Sequence, residues 1–245
     1  MRIVAWNIRA GGGTRVQGIA EQINEWEPDV VALSEFRATP PSVELAELLR
    51  DAGLLHLRST ADDRDPAVNS LLVASKWPVR AVNLRRAPSE PRRWLHLSVE
   101  AETPFAIMAL HVPNRVTGRK FPFLDAVTDV ARGWRGGPAL VVGDTNSGCI
   151  GIDEESPAFN KREDAWVTGL GQIGWPDVFR ARHPEAREYT WYSPNGRNGF
   201  RLDQAFVNRA LRHRLTEVRH VWGSSAGDPR REALSDHAAI LLDFD

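Results

Sequence analysis

Short apolar runs in this sequence repeatedly close on a residue that can do chemistry. Ile-Val-Ala-Trp ends in Asn7, Val-Val-Ala-Leu-Ser in Glu35, and Ile-Met-Ala-Leu in His111-Val-Pro-Asn114. Ala-Leu-Val-Val-Gly ends in Asp144-Thr-Asn146, Phe200-Arg-Leu leads into Asp203, and Ser235 precedes Asp236-His237 before the last apolar run. A carboxylate, amide or imidazole at the mouth of a buried strand is costly unless paired, so its repetition points to one shared polar site. The donors are mostly oxygens, which suit Mg²⁺ or Mn²⁺ better than zinc. Carboxylates, amides and one or two imidazoles around a divalent ion make a site for hydrolysing a phosphate ester.

Other chemistries are weaker. Ser235-Asp236-His237 cannot form a nucleophilic triad among themselves, because adjacent residues of an extended segment point to opposite faces. The sequence has no Gly-x-x-x-x-Gly-Lys loop. Gly11-Gly12-Gly13 follows an apolar run but lacks the lysine of a phosphate loop, and reads as a flexible turn.

The elements that must position these residues follow from apolar patterning. Runs at Ile3–Trp6, Val30–Leu33, Leu71–Ala74, Trp94–Val99, Ala106–Leu110, Ala139–Val142, Leu202–Val207, Val218–Trp222 and Ala238–Leu242 read as strands. Ile19, Ile23 and Trp26 form a helical stripe before Pro28. Ser42 is placed to cap a helix through Leu49 that stops at Gly53, a third helix follows Pro122 to Gly133, and a fourth covers Glu163–Leu170. Hairpin-like pairs mixed with helices favour two packed sheets with helices outside. The longest irregular stretch, Ser147 to about Asn160, directly follows a strand, where long loops are often functional.

Composition bounds the rest. The 245 residues carry a formal charge of −1, which excludes a bulk polyanion binder, and any grip on nucleic acid must be local. Residues 176–220 hold nine arginines against five acids, a mildly basic stretch in an otherwise acidic chain. All but three of the 31 basic residues are arginine, the fork-shaped cation suited to phosphate, although much of that reads as genome bias. A hydrophobic content of 42% with 26% charged residues describes one globular domain over 1–245. No apolar run nears the roughly 20 residues that span a bilayer. The lone Cys149 excludes an intramolecular disulfide and fits a reducing compartment, so the expectation is a soluble, cytoplasmic monomer with an inert thiol.

The ordered motifs Trp6-Asn7, Pro28 through Glu35, His111-Val-Pro-Asn114, Gly143-Asp-Thr-Asn146, Arg201-Leu-Asp203 and Ser235-Asp-His237 resemble those of the endonuclease/exonuclease/phosphatase superfamily over essentially the whole chain. The resemblance implies an α/β (α+β) fold, a four-layered αββα sandwich of two mixed sheets with the active site at one end. Gly174-Trp-Pro-Asp-Val-Phe-Arg180, Tyr189-Thr-Trp191 and Asn198 through Asp203 are most similar to the exonuclease III-like apurinic/apyrimidinic endonucleases. By that likeness Trp191, Phe200 and Leu202 would wall a pocket for a base-less sugar, with Arg201 beside them as a substrate contact. The alternative for the three apolar residues is simple core packing. Two departures stand out: His111 replaces the tyrosine usual in abasic-site enzymes, as in broader deoxyribonuclease and phosphodiesterase branches, and Ile8-Arg9-Ala10 replaces the usual continuation after Asn7.

The resemblance and physical need together imply roles. Glu35 and Asn7 would hold Mg²⁺ or Mn²⁺, with Asp236 on the same ion or a second one. Asp144 would deprotonate the attacking water and Asn146 contact a phosphate oxygen. His237 would stabilise the developing charge, oriented by Asp203, with His111 and Asn114 as further phosphate contacts. The implied substrate is DNA, as an abasic or nicked duplex. RNA, a phospholipid head group or a small phosphoester are the alternatives at the same site. A non-catalytic binding module is a third class, disfavoured by retention of the whole set.

Overall fold

The computed structural model describes residues 1–195, 197–223 and 234–245. In chain order the described elements are β1 (Arg2–Asn7), α1 (Val16–Glu25), β2 (Val30–Phe36), α2 (Pro40–Asp51), β3 (His56–Ser59), β4 (Ser70–Ser75), β5 (Val79–Ala81), β6 (Trp94–Val99), β7 (Phe105–His111), α3 (Lys120–Gly133), β8 (Ala139–Asp144), α4 (Lys161–Gln172), α5 (Val178–Arg182), β9 (Trp191–Tyr192), β10 (Gly199–Phe200), β11 (Asp203–Val207), α6 (Arg209–Arg212), β12 (Leu215–Val221) and β13 (Ala239–Phe244). One sheet has the order β12-β13-β1-β2-β4-β3, the other β11-β8-β7-β6-β5, and β9 and β10 form a separate ribbon.

Period-two alternation builds the layers. On β1, Ile3 and Ala5 face the opposite sheet, packing with Leu97, Ile107, Leu140 and Val142, while Val4 and Trp6 face Ile19 and Ile23 of α1 and Leu45 and Leu49 of α2. On the second sheet Met108 and Val141 turn outward onto Leu124 and Val127 of α3 and Trp166 and Leu170 of α4. Central strands buried on both faces must be apolar at nearly every position, which is why they stand out in the sequence. The result is the expected αββα sandwich.

One local expectation differs, the cap of α2, and the glycine run is the expected turn. Helix α2 begins at Pro40, with Thr39 as N-cap, because a proline at the first position brings a pre-set φ. Ser42 is therefore inside the helix, buried, and its hydroxyl donates to the Gly11 carbonyl. The glycine run is a turn with φ of 75°, 77° and 53°, and its neighbourhood spends its N–H groups internally: Arg9 N on Asn7 Oδ1, Ala10 N on Glu35 Oε2, and Gly11 N on Glu35 O. It orients Asn7 and Glu35 instead of cradling a phosphate.

Candidate active site

Topology gathers the polar strand ends. β1 runs parallel to β2 and β7 parallel to β8, so Asn7, Glu35, His111 and Asp144 leave their strands at the same edge. β11 and β13 run antiparallel to β8 and β1, which brings the starts of those strands, Asp203 and the Asp236–His237 segment, to that edge too. Asp144 is the ladder partner of His111 on one side and of Asp203 on the other. Gly143 is needed before it: a Cβ there would sit 2.2 Å from the Leu110 carbonyl oxygen. The register of β2 against β4 shifts between Ser34 and Phe36, and Glu35 in that bulge takes a φ of 60°. A bulge re-aims a side chain, and a left-handed non-glycine residue at a strand end marks stored strain of order 1 kcal/mol.

Asp144 is the hub. Its Oδ2 accepts a hydrogen bond from Asn7 Nδ2 at 3.0 Å and its Oδ1 one from Asn146 N at 2.9 Å. His111 Nε2 stands 3.6 Å and His237 Nε2 4.0 Å from Oδ2. His237 Nδ1 meets Asp203 Oδ2 at 2.9 Å, an assignment that makes Nδ1 the donor and turns Nε2 toward Asp144. Burial raises the Asp144 carboxyl above the ordinary carboxylate value, against the pull of His237 and His111. Burial opposes charge on His237 as well, but Asp203 outweighs it, with Asp144 adding, and the imidazole is raised to about 10. His111 has no such partner. Burial pushes it down to about 4, only partly offset by Asp144, and its Nδ1 has no hydrogen-bond partner among the described residues.

The oxygen donors proposed for a metal lie on adjoining segments. Glu35 Oε2 accepts from Ala10 N, and Asp236 accepts from Trp191 Nε1 at 3.3 Å, with the Arg9 guanidinium 3.9 Å away. Ser235 Oγ donates to the Asn7 carbonyl at 2.5 Å, and the Arg15 guanidinium bonds the Ile8, Arg9 and Leu234 carbonyls. Arg15 thereby ties the segment after Asn7 to the one before Asp236, and it feels both the Glu35 and Asp236 charges. Among the described residues no three His, Cys, Asp or Glu side chains form a ready cage. Two carboxylates and an amide oxygen fit a hard divalent ion that keeps several waters.

Beside this cluster lies a pocket of about 270 Å³ walled by Trp191, Phe200, Leu202 and Phe159, with Asn114 and Asn146 at its polar side. Trp191 and Phe200 are half-buried and 5.9 Å apart between ring centroids, so they face the pocket instead of filling the core; Leu202 is buried beneath them. Asn146, at φ 46°, spends one amide N–H on the Val112 carbonyl and keeps the other. Arg201 is a correction. It is 0% exposed, bidentate to Asp153 and bonded to Asp177, so it touches no substrate.

Sequence reasoning missed two cations. Arg93 is half-buried, donates to the His111 carbonyl at 3.3 Å, and faces the charges of Asp144 and Glu35. Lys120 is buried, bonded to Glu163 and to the Asn146 carbonyl, and props Asn146 from below. Neither neighbours a motif in sequence. The one available signal was that Lys120 is among only three lysines in an arginine-rich chain.

The sandwich and its edge cluster define a phosphoesterase architecture, and the endonuclease/exonuclease/phosphatase family profile matches residues 4–237: the chain belongs to that family, whose members hydrolyse phosphoester bonds. Three solved structures are similar over 100% of this chain. A Neisseria 3′ phosphatase, NExo (D146N), bound to product DNA hairpin aligns with TM-score 0.81 and 22% identity, covering 99% of that chain. An AP endonuclease from Archaeoglobus fulgidus aligns at 0.82 and 18%, also covering 99%. The 3′-5′ exonuclease NExo from Neisseria meningitidis aligns at 0.77 and 23%, covering all of that chain. No curated protein sequence matches the chain.

Proposed function

We propose that this chain is a divalent-metal-dependent phosphodiesterase acting on DNA, of the abasic-site type. The observation that carries the reading is the Asp203–His237 pair aimed at buried Asp144, next to a small apolar pocket. Asp144 takes the proton of the attacking water; burial raises its basicity, and Asn7 and Asn146 hold its two oxygens in place. His237, charged at neutral pH, faces the phosphate as a fixed cation, and Asp203 keeps its ring oriented. Glu35, Asn7 and Asp236 would hold Mg²⁺ or Mn²⁺, which would supply positive charge to offset the negative charge that builds up on the phosphate oxygens. Arg93, His111, Asn114 and Asn146 grip the phosphate. Trp191, Phe200 and Leu202 accept a flipped sugar without its base. The similar structures add support, being a 3′ phosphatase bound to a DNA hairpin, a 3′-5′ exonuclease and an AP endonuclease.

The test is a panel of duplexes with an internal abasic site, a 3′-phosphate end, or neither, alongside RNA and a bis-aryl phosphodiester, each with Mg²⁺ or Mn²⁺. The abasic duplex should be cut fastest, leaving 3′-hydroxyl and 5′-phosphate ends, and a chelator should stop turnover until metal is restored. Preference for the 3′-phosphate end would move the reading to end processing. Faster turnover of RNA or the small diester would overturn DNA as the substrate.

A further inference from the structure

The long segment 147–160 has no helix or strand, yet its centre is buried: Asp153 is 0% and Glu154 2% exposed. Asp153 accepts from Arg201 through Nε and Nη2, both at 2.8 Å, and from Arg180 Nη2 at 2.5 Å. Arg201 Nη2 also reaches Asp177 at 2.6 Å. The backbone repeats the tie, with Arg201 N on the Asp153 carbonyl and Glu155 N on the Gly199 carbonyl, both at 2.9 Å. Glu154 then folds the segment's outer limb: Oε2 accepts from Ala158 N and Phe159 N at 2.6 Å, and Oε1 from Gly151 N at 3.0 Å. The limb so fixed supplies Ala158 and Phe159 to the pocket, with the Phe159 ring 5.5 Å from Phe200.

Arg201 lies between two other pocket walls, Phe200 and Leu202. One guanidinium thus fixes both sides of the pocket, the segment between β10 and β11 that carries it and the loop opposite, through a carboxylate that has no contact with the reacting groups. Two arginines against two aspartates leave the network near neutral, and bidentate geometry sets direction as well as distance.

We infer that Arg201 is a positioning residue that sets the pocket's width through Asp153 and Glu154, and so governs which sugar the pocket admits without governing hydrolysis. The inference rests on the abasic-site reading above. Displacing the 147–160 limb enlarges the pocket on its Phe159 side, which weakens capture of a base-less sugar and lets bulkier groups compete.

The experiment compares Arg201→Lys, which keeps the charge but loses the fork, and Glu154→Gln, which puts an amide N–H₂ among N–H donors and disturbs only the loop. Each is assayed on the abasic duplex and on a bis-aryl phosphodiester too small to need the pocket. Both variants should raise KM for the abasic duplex about tenfold or more, leave its kcat within about threefold, and leave the small diester unchanged. Should Arg201→Lys fail to fold, Glu154→Gln alone carries the test. An equal loss on both substrates would overturn the inference, because a merely structural role lowers both together. A wild-type protein with no preference for abasic over intact duplex overturns the reading on which the inference rests, which is a separate and recognisable result.

Discussion

Two buried ionic clusters lie close together in this molecule and behave oppositely. Around Arg201, two guanidiniums face two carboxylates, with bidentate bonds at 2.8 Å and the Phe179 ring 5.4 Å from the Arg201 guanidinium carbon. Around Asp144, two imidazoles and an amide face one carboxylate at 3.0 to 4.0 Å, His111 Nδ1 is unpartnered among the described residues, and the groups are driven apart in pKa. The first cluster is balanced in charge, with Arg201 Nη1 and Arg180 Nε left without acceptors among the described residues; its guanidiniums keep their protons, and so it holds the fold. The second is left under-matched at the end of a rigid sheet, and a buried group short of partners is one that can trade protons with a substrate.

The largest effect should come from breaking the reactive cluster. Asp203→Asn frees His237 from its orienting carboxylate and should lower kcat by about 10³-fold or more, on the scale of losing a triad aspartate. Losing that charge also withdraws the stability His237 contributes, so the thermal midpoint falls too and turnover is read well below it. A single-turnover assay with a melting curve checks both, and activity within tenfold of wild type would remove His237 from the mechanism. The matched cluster should respond in the reverse way: Arg201→Met leaves buried Asp177 without its counter-charge and Asp153 with Arg180 alone, and should cost about 3–5 kcal/mol in denaturant unfolding.

The contrast also shows what a sequence can reveal. All nine apolar runs became strands, and the polar strand ends converged, because burial on both faces and parallel pairing are written in residue type and order. The short elements β3, β5, β9, β10, α5 and α6 were not legible: two to five residues span too little of a period, and long-range packing decides them. Arg201 was misjudged for a related reason. Arginine is mostly a surface residue, and its burial depends on Asp153 and Asp177, 48 and 24 positions away. Arg93 and Lys120 likewise acquire their places only once β6, β7 and α3 have packed.

A smaller effect separates the two histidines by pH. His237 is raised to about 10, so the stability it contributes is fully present below its unfolded value near 6.5 and is lost as pH rises through 10. His111 is depressed to about 4, so the unfolded chain takes up its proton first and stability is lost as pH falls from about 6.5 to 4. For His111 the loss is on the order of 3 kcal/mol. Urea unfolding of metal-free protein should therefore show a midpoint that drops below pH 6, and His111→Gln should flatten the acid limb while leaving the alkaline one. An unchanged acid limb in that variant would assign the loss to other groups.

The smallest effect probes the matched cluster through Cys149. Burial raises this thiol to about 12, with the charges of Asp153 and Asp164 adding, and its backbone N–H donates to Asp153 Oδ2 at 2.8 Å. Only the thiolate attacks an alkylating agent, so at pH 8 roughly one molecule in 10⁴ is reactive, and half-burial slows it further. Iodoacetamide should therefore modify the native protein at least a hundredfold more slowly than free cysteine. Glu154→Gln loosens the 147–160 segment without touching Asp153, so it should speed the reaction several-fold by exposing the thiol. Asp203→Asn, which disturbs only the reactive cluster, should leave the rate alone. If Asp203→Asn accelerated alkylation as much as Glu154→Gln, the two clusters would be mechanically one, and the division between a matched network that holds shape and an under-matched one that reacts would fail.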